Sequence, residues 1–434
     1  MSSDGSPRIL VINLHSSRNA GDAALLEMTL SELLGAFSGP QVTLAMNEVN
    51  TAYQERDLGR VRVVPSFASL CKAYAAGAGG LRQAGATIRV LAIALAAAVC
   101  YRVEGHLPTW LPSDMRELLA AYVTADLVVS CPGNIFASVS RIGKPFLLSA
   151  LTVAYALMLR KPLYVLPQSI GPFRAGWQRS MVTRLYSRAR LICVREPVSL
   201  QLARALGLPE TRLRLIPDLA FALPESPPGE AQRFLDLLGV PGQGPKLGVT
   251  VINRLVRYVD EATWDAYESA VAGALTAHLQ RNGGSVIFFP QVTGPSARED
   301  DRNAARRIVA AMGNPAQAIV VEEPLSPAML KALYGRMDAF IGTRMHSVIF
   351  AVSMNVPTLL IEYLSKTRGL AEMLGLEEWC LELAQLNQVT LQDMLERLWR
   401  ERSVLHQTLA DTVPALRTAT GQAGAAVARD FYGR

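Results

Sequence analysis

The feature that most constrains this chain is an alternation of short apolar runs with helix-length segments, which occurs twice along the sequence. The first series opens with RILVINL at residues 8–14, a helix-like segment over 22–37 and a second apolar run, QVTLAM. Short apolar runs separated by helix-length segments are typical of parallel strands joined by crossover helices. The sequence therefore predicts an α/β protein whose parallel sheets are covered by helices.

The two series are separated by a stretch rich in proline and glycine. Residues 221–245 contain PESPPGE and GVPGQGPK around a short amphipathic run, a composition that indicates an interdomain connection. We therefore expect a doubly wound, Rossmann-like N-terminal domain over 1–220, a linker over 221–245, a second Rossmann-like domain over 246–382 and helices over 383–434. The default ligand site of such an arrangement is the crevice between the two domains.

A helical insertion interrupts the first series at about residues 70–120. It contains the longest apolar run of the chain, Val90–Tyr101, which is shorter than the roughly 20 residues that span a bilayer. We expect either a buried helix or an interfacial helix, because arginines flank the run and a tryptophan follows it, as at a membrane surface. The flanking residues are Arg82, Arg89, Arg102 and Trp110.

Composition limits the class of partner. The 434 residues are 50% hydrophobic and carry a formal charge of +6, which excludes a disordered chain and gives no nucleic-acid signature. The five cysteines form no Cys-x-x-Cys pair, so we expect reduced thiols in a cytoplasmic protein without a zinc site. The N-terminal residues lack the basic and apolar regions of a signal peptide.

The strongest local motif is IGTRMHS at residues 341–347, between a predicted strand and a predicted helix. Arg344 can bind a phosphate or carboxylate with two parallel hydrogen bonds, and His346 is suited to proton transfer near neutral pH. Helix N-termini also attract anions. The motif indicates an anion-binding acid/base site, and the alternative is a histidine that only the backbone satisfies.

Two further loops follow strands of the first series. Asn19-Ala20-Gly21-Asp22 lies where a doubly wound fold places its first ligand loop, and Asp22 could act in the site or serve only as a helix N-cap. Gln168 and Ser169, in the sequence PQSIGP, are expected at a turn, where they would either meet sugar hydroxyls or have no role beyond the turn.

Charged residues end other strands. Arg195 and Glu196 form either part of an anion site or a simple ion pair, and Lys366 is one of six lysines in the chain. Asp300 and Asp301 could be a carboxylate pair, although a solvated helix start is the favoured interpretation. The chain has no G-x-G-x-x-G after its first strand, no Walker A motif and no metal-ligand cluster, so nicotinamide, ATP and obligatory metal chemistry lose support.

In combination and in this order, the motifs resemble those of the polysaccharide pyruvyl transferases. The matching segments are Asn19-x-Gly21-Asp22, Gln168-Ser169-Ile170-Gly171-Pro172-Phe173, Arg195-Glu196-x-x-Ser199, Asp218, Gly342-x-Arg344-x-His346-Ser347 and Tyr363-x-x-Lys366. The resemblance implies two domains in an arrangement like that of GT-B glycosyltransferases. It also implies transfer of a pyruvyl group from phosphoenolpyruvate to a sugar, with formation of a ketal and no other cofactor.

The resemblance assigns residues to roles. It implies donor binding by Arg195, Arg344, Met345 through its backbone, His346 and Lys366. The acceptor, a glycan or a lipid-linked saccharide, would occupy the N-terminal half, where Asn19, Gly21, Gln168 and Ser169 lie. We expect His346 to be the general acid and Asp22 to be the base. One departure is SCPGN at 130–134, where family members often have a glycine-rich loop and Pro132 removes a backbone donor.

Two other functions fit parts of the sequence. A GT-B-type nucleotide-sugar glycosyltransferase would use the same cleft and basic residues, with Glu362 as the one carboxylate able to hold a ribose. A non-enzymatic, membrane-associated subunit of a polysaccharide assembly complex would use the Val90–Tyr101 run and leave the cleft unused. The intact Arg344 and His346 argue against the second of these.

Overall fold

The protein is described by a computed structural model that covers residues 6–49, 61–76, 80–138, 140, 143–227, 229–254 and 259–433, with side chains omitted at 80–83. Within these ranges the chain forms two parallel β-sheets with helices between the strands. The described elements of the first half are β1 (Arg8–Leu14), α1 (Ala20–Ala36), β2 (Gln41–Met46), β3 (Val61–Pro65), α2 (Phe67–Tyr74), α3 (Gly80–Glu104), α4 (Ser113–Thr124), β4 (Leu127–Ser130), β5 (Gly133–Phe136), α5 (Lys144–Met158), β6 (Leu163–Ile170), α6 (Gly176–Tyr186), β7 (Leu191–Val194), α7 (Pro197–Ala205) and β8 (Leu213–Leu215).

The first sheet has the strand order β3-β2-β1-β4-β6-β7-β8, and β5 pairs with β6. Along β1 the side chains alternate between two packed layers, since Ile9 and Val11 belong to one buried cluster and Leu10 and Ile12 to another. Burial on both faces explains why the strand is a continuous apolar run rather than an alternating one. The order of the strands reverses beside β1, which is where doubly wound sheets open a ligand crevice.

The second sheet repeats this topology. Its elements are α8 (Glu230–Leu237), β9 (Lys246–Thr250), α9 (Glu261–Asn282), β10 (Ser285–Phe288), α10 (Arg302–Ala311), β11 (Ala318–Val320), α11 (Pro327–Tyr334), β12 (Ala339–Gly342), α12 (Met345–Ser353), β13 (Thr358–Glu362), α13 (Lys366–Leu374) and β14 (Cys380–Glu382). The strand order is β11-β10-β9-β12-β13-β14, with all pairs parallel. This confirms the predicted α/β class with two Rossmann-like sheets.

Two helices end the chain, α14 (Gln388–Thr420) and α15 (Gln422–Tyr432). Helix α14 packs along α9 of the second half, whereas α15 returns to α1 of the first half. The Asp430 carboxylate accepts hydrogen bonds from the Tyr164 hydroxyl at 2.7 Å and from Arg190 Nε at 3.0 Å. The C-terminal helical segment therefore fastens the two halves together.

The halves also meet directly beside their ligand loops. Asn19 and Val292 form an antiparallel bridge, and the Ala20 amide donates to the Gln291 carbonyl at 2.9 Å. The Thr293 amide donates to the Arg18 carbonyl at 3.0 Å. These bonds join the loop after β1 to the loop after β10, so the carboxyl ends of the two sheets face a common crevice.

Helix α3 differs from its prediction. Its segment Ala84–Glu104 is 21 residues long with a mean hydropathy of 1.8, which by length and composition is enough to cross a membrane. The 12-residue run therefore understates the apolar length. Its most apolar window is 22% buried, so the expectation of a buried helix is wrong for most of the segment. The buried residues in its described part are Val90, Ala94, Ala97 and Ala98.

Candidate functional site

A cavity of about 570 Å³ opens between the two domains at the carboxyl ends of their strands. Its wall includes loops after β1, β5 and β7 of one half and loops after β10, β12 and β13 of the other. Residues predicted from the sequence that line it are Asn19, Asp22, Arg195, Arg344, Met345, His346 and Lys366. The structure thus brings together groups that lie far apart in the chain.

Arg344 follows β12, and a buried carboxylate fixes it. Its Nε and Nη2 donate to the two Asp301 oxygens at 3.2 and 2.6 Å. Asp301 is 1% exposed and also accepts from the Asn253 and Val292 amides at 3.2 and 3.0 Å. Burial raises the pKa of Asp301, although the positive charge of Arg344 opposes this shift. Burial disfavours the charged form of Arg344, but the Asp301 carboxylate outweighs it and raises the pKa of Arg344. Arg344 is therefore a fixed cation at the cavity wall.

This ion pair corrects one prediction. A solvated helix start is the wrong interpretation for Asp301, which is buried, because the loop before α10 folds inward against β12. Asp300 points elsewhere and forms its own ion pair with Arg302, at 2.6 Å. The two aspartates therefore do not act as a carboxylate pair.

Arg195 and His346 share a second buried carboxylate, Asp218. Arg195 Nη1 donates to Asp218 Oδ2 at 2.5 Å, and Arg195 Nε donates to Ser169 Oγ at 2.8 Å. His346 Nε2 lies 3.6 Å from the same Asp218 oxygen. Although burial disfavours its charge, the Arg195 guanidinium and then the His346 ring hold the pKa of Asp218 well below its usual range. Asp218 is therefore an anion that links Arg195 of the first half to His346 of the second.

The alternative of an Arg195–Glu196 ion pair is wrong. Glu196 is the N-cap of α7 and accepts from the Ser199 amide at 2.8 Å. Its side chain packs against Gly369 of α13, where an added Cβ would crowd the carboxylate. The guanidinium of Arg195 turns to the other side of the strand end, toward Asp218 and the cavity.

Lys366 begins α13 and lines the same cavity. Burial, together with the nearby Arg195 and Arg344, lowers its pKa to about 7, although Asp22 and Asp218 oppose this shift. An anionic ligand bound beside this lysine would stabilise its charged form. Arg195 and Arg344, each fixed by a buried carboxylate, converge with Lys366 on this cavity and form a site for an anionic ligand.

Within the described part of the chain, four buried polar atoms of the cavity residues have no hydrogen-bond partner. They are Arg195 Nη2, Gln291 Nε2, His346 Nε2 and Asn134 Oδ1. Gln291 is 2% exposed, and the Tyr334 hydroxyl donates to its Oε1 at 2.9 Å, which leaves Nε2 toward the cavity. An unpartnered buried polar group costs about 1–3 kcal/mol. These atoms therefore indicate where a polar ligand would bond.

The first ligand loop differs in detail from its prediction. The N-cap of α1 is Asn19, whose Oδ1 accepts from the Gly21 amide at 3.0 Å, so the alternative of Asp22 as the cap is wrong. Asn19 Nδ2 donates to Asp22 Oδ2 at 3.0 Å, and Asp22 lines the cavity. A Cβ on Gly21 would overlap the His346 ring, so the glycine allows the two domains to approach at this point.

Gln168 and Ser169 lie within β6 rather than at a turn, because the strand extends to Ile170. Gln168 Nε2 donates to Ser130 Oγ at 2.9 Å and to the Cys131 carbonyl at 2.7 Å. Its Oε1 accepts from the Tyr186 hydroxyl. The prediction of a turn is therefore wrong, and the structure places Gln168 behind the cavity wall and Ser169 as a hydrogen-bond partner of Arg195.

Glu362 does not face the cavity. Its carboxylate accepts from Arg368 Nε at 2.9 Å, and the residue is absent from the described part of the cavity wall. The carboxylate on which the nucleotide-sugar alternative depended is thus occupied by another partner.

Sequence reasoning missed four residues of this site. Asp218 carries a motif signal but no obvious chemical role until Arg195 and His346 are placed beside it. Asp301 looks like any acidic residue at a helix start, and Gln291 and Asn134 give no signal beyond their positions after strands. Their importance comes from burial, which a single sequence does not report.

Solved structures with the same fold cover nearly the whole chain. Sucrose-phosphate synthase from Thermosynechococcus elongatus is 11% identical, with a TM-score of 0.60 over 99% of each chain. Anabaena HepE in complex with UDP-glucose is 13% identical, with a TM-score of 0.58 over 97% of this chain and 99% of that one. Neisseria meningitidis UDP-GlcNAc 2-epimerase is 9% identical, with a TM-score of 0.58 over 98% of this chain and 100% of the other. These similarities confirm the GT-B-like arrangement.

Sequence relatives are more specific. The amylovoran biosynthesis protein AmsJ of Erwinia amylovora is 28% identical over 243 residues, which are 53% of this chain and 56% of AmsJ. The match thus spans little more than half of either protein. The model of the polysaccharide pyruvyl transferase family matches residues 19–365, a range that includes both sheets' ligand loops up to the start of α13. The chain belongs to the polysaccharide pyruvyl transferase family.

Proposed function

We propose that this protein transfers the pyruvyl group of phosphoenolpyruvate to two hydroxyls of a sugar in a cell-surface polysaccharide or its precursor, with release of phosphate. The observation that carries the proposal is the convergence of Arg195, Arg344 and Lys366 on one cavity that also contains His346. Phosphoenolpyruvate is a small ligand with a carboxylate and a phosphate, so its charges match these three cations. Phosphoenolpyruvate itself supplies the pyruvyl group, so the proposed reaction needs no further cofactor.

The cations and the donor groups around them would hold the two anionic ends of phosphoenolpyruvate. Arg195 Nη2 and Gln291 Nε2 are buried donors without a partner, and an anionic oxygen would satisfy both. The Met345 side chain is buried, so this residue would contribute its main-chain N–H at the start of α12, where the helix dipole favours negative charge. Lys366 would stabilise charge that develops on the leaving phosphate.

His346 is the proposed general acid. Its protonated ring would deliver a proton to the methylene carbon of phosphoenolpyruvate, which makes the adjacent carbon electrophilic. A sugar hydroxyl then attacks that carbon and gives its proton to Asp22. The C–O bond to phosphate breaks as a second hydroxyl of the sugar attacks and closes the ketal. The proton of the second hydroxyl restores His346, and the proton held by Asp22 leaves on the released phosphate. Overall, one of the two hydroxyl protons is accounted for in the new methyl group and the other is on phosphate, so the reaction balances.

The acceptor would enter from the N-terminal half of the cavity. That wall presents Asn134, whose Oδ1 is buried without a partner, together with Ser138, Ser140 and Glu48. Amide, hydroxyl and carboxylate groups are suited to sugar hydroxyls. The acceptor is a glycan or a lipid-linked saccharide on the cytoplasmic side of the membrane.

The nucleotide-sugar alternative has less support from this cavity. The solved structures named above share the fold of this chain at 13% identity or less. A similarity at that level does not show that the substrate is shared. Glu362, the carboxylate it needs for a ribose, is bonded to Arg368.

The test is a reaction of the purified protein with phosphoenolpyruvate and candidate saccharides. Released phosphate and the new ketal methyl signal in the NMR spectrum are followed together. His346→Ala should abolish both while leaving the circular dichroism spectrum and thermal unfolding unchanged. His406→Ala, at an exposed position on α14, is the matched control and should react like the wild type. If His346→Ala stayed within about threefold of the wild-type rate, the role of His346 would be wrong.

A further inference from the structure

One side of α3 is an exposed apolar stripe. Its large side chains are Ile88, Leu95, Val99 and Val103, which are 65%, 54%, 54% and 80% exposed. The exposed Ala92 and Ala96 lie between them. At 3.6 residues per turn these six positions fall within an arc of about 120°. The stripe is thus continuous along the helix, unlike the single exposed apolar residues that are normal on protein surfaces.

The opposite side of α3 packs against the protein. Val90, Ala94 and Ala97 are fully buried, and the helix contacts α2 and α4. Because one face is held in the fold, the helix cannot be surrounded by lipid as a membrane span is. A partner that covers the exposed apolar stripe must therefore lie against the side of the helix, parallel to its axis.

The charges beside the stripe are basic. On the same helical projection Arg89 and Arg102 fall at its two edges, and both are exposed. The sequence from 66 to 112 contains the cations Lys72, Arg82, Arg89 and Arg102 and the single anion Glu104. Trp110, which is 56% exposed, follows the helix. Apolar residues edged by arginines, with a nearby tryptophan, match the chemistry of an anionic lipid interface.

We propose that α3 docks this protein on the surface of an anionic lipid bilayer. The helix lies in the plane of the interface, with Leu95 and Val99 toward the acyl chains and with Arg89 and Arg102 at the level of the headgroups. The inference goes beyond the proposed function and does not depend on the identity of the donor.

Docking at α3 would place the candidate site beside the membrane. Helix α2 contacts α3, and Ala68 and Lys72 of α2 line the cavity between the domains. One helix therefore separates the lipid surface from the acceptor side of the cavity. A saccharide held at the bilayer by a lipid would reach the site over a short distance.

The experiment is co-sedimentation of the full chain with vesicles of phosphatidylcholine alone or mixed with phosphatidylglycerol, in the absence of substrate. The wild type should partition onto the mixed vesicles and bind much less to phosphatidylcholine alone. The double variant Leu95→Gln/Val99→Asn should lower partitioning by about tenfold or more, because it removes apolar area that the interface would bury. Arg89→Gln/Arg102→Gln should remove the dependence on the anionic lipid.

A matched control keeps the test specific. Leu237→Gln/Val404→Asn changes two residues that are 86% and 69% exposed on other helices, and it should bind like the wild type. Equal partitioning of the Leu95/Val99 variant and the wild type would overturn the proposal. A wild type that binds neither kind of vesicle would also overturn it. If that wild type were a dimer and the Leu95/Val99 variant a monomer, a second copy of the chain would be the occupant of the stripe.

Discussion

Gly21 and His346 touch across the domain boundary: a Cβ added to Gly21 would overlap Nδ1 and Cγ of the His346 ring. Gly21 lies in the first turn of α1 and His346 in the first turn of α12. The absence of one side chain therefore lets a loop of the N-terminal domain close against the proposed acid of the C-terminal domain.

Gly21→Ala should displace His346 and lower the turnover by about a hundredfold or more, because a misplacement of about 1 Å can cost that much. Steady-state rates of phosphate release measure the effect. Gly35→Ala is the matched control, since it lies in the same helix and a Cβ there meets no atom within 4 Å. A Gly21→Ala enzyme as active as Gly35→Ala would show that this contact does not position the acid.

Asp301→Asn should weaken both the fold and the binding of phosphoenolpyruvate. Removing one charge of a buried ion pair costs about 3–5 kcal/mol of unfolding free energy, and Arg344 would lose the partner that orients it. Denaturant unfolding and the KM for phosphoenolpyruvate report the two effects, and we expect KM to rise by about tenfold or more. Asp300→Asn, next in the chain but paired with the more exposed Arg302, should change stability by about 1 kcal/mol or less. Similar losses in the two variants would contradict the assigned role of Asp301.

Lys366 should make donor binding depend on pH. Burial lowers the pKa of this lysine to about 7, so the free protein carries the ammonium below that pH and loses it above. An anionic donor binds better to the charged form, and the dissociation constant should therefore increase as the pH rises above 7, by at most about tenfold per pH unit. Lys366→Arg keeps its charge and should give a flatter profile. If the dissociation constants of the wild type and Lys366→Arg changed with pH in the same way, Lys366 would not be the group that causes the pH dependence.

Gln291→Glu should lower the affinity for phosphoenolpyruvate by about tenfold or more, because it replaces a buried amide donor with a carboxylate facing an anion. Titration calorimetry with the donor alone gives the dissociation constant. Gln317→Glu adds the same charge to the same half of the chain at an exposed position and should leave binding unchanged. Unchanged binding in Gln291→Glu as well would mean that the Nε2 atom does not contact the donor.

Much of the framework follows from local sequence. The strands RILVINL and QVTLAM coincide with β1 and β2, because strands buried on both faces must be apolar at every position. Arg344 and His346 were identifiable since rare, chemically capable residues follow a strand where sheets bind ligands.

What escaped prediction depends on contacts between distant segments. Asp301 becomes important because the chain buries it against Arg344, 43 positions later. Asp218 gains its role from Arg195 and His346, which come from different domains. The Gln168 side chain turned away from the cavity because Ser130 and Tyr186 offered it partners. Helix α3 is longer than its apolar run because Arg89 and Arg102 end the run while the helix continues beyond both of them.

Donor binding at Arg344 is tested by titration calorimetry of phosphoenolpyruvate against the wild type and Arg344→Ala, with UDP, GDP and CMP as competing ligands. The titration needs no acceptor and no knowledge of the sugar. We expect saturable binding of phosphoenolpyruvate to the wild type, loss of that binding in Arg344→Ala and no binding of the nucleotides. Saturable binding of a nucleotide without binding of phosphoenolpyruvate would contradict the proposed function and would make the Arg344–His346 site a diphosphate-binding site.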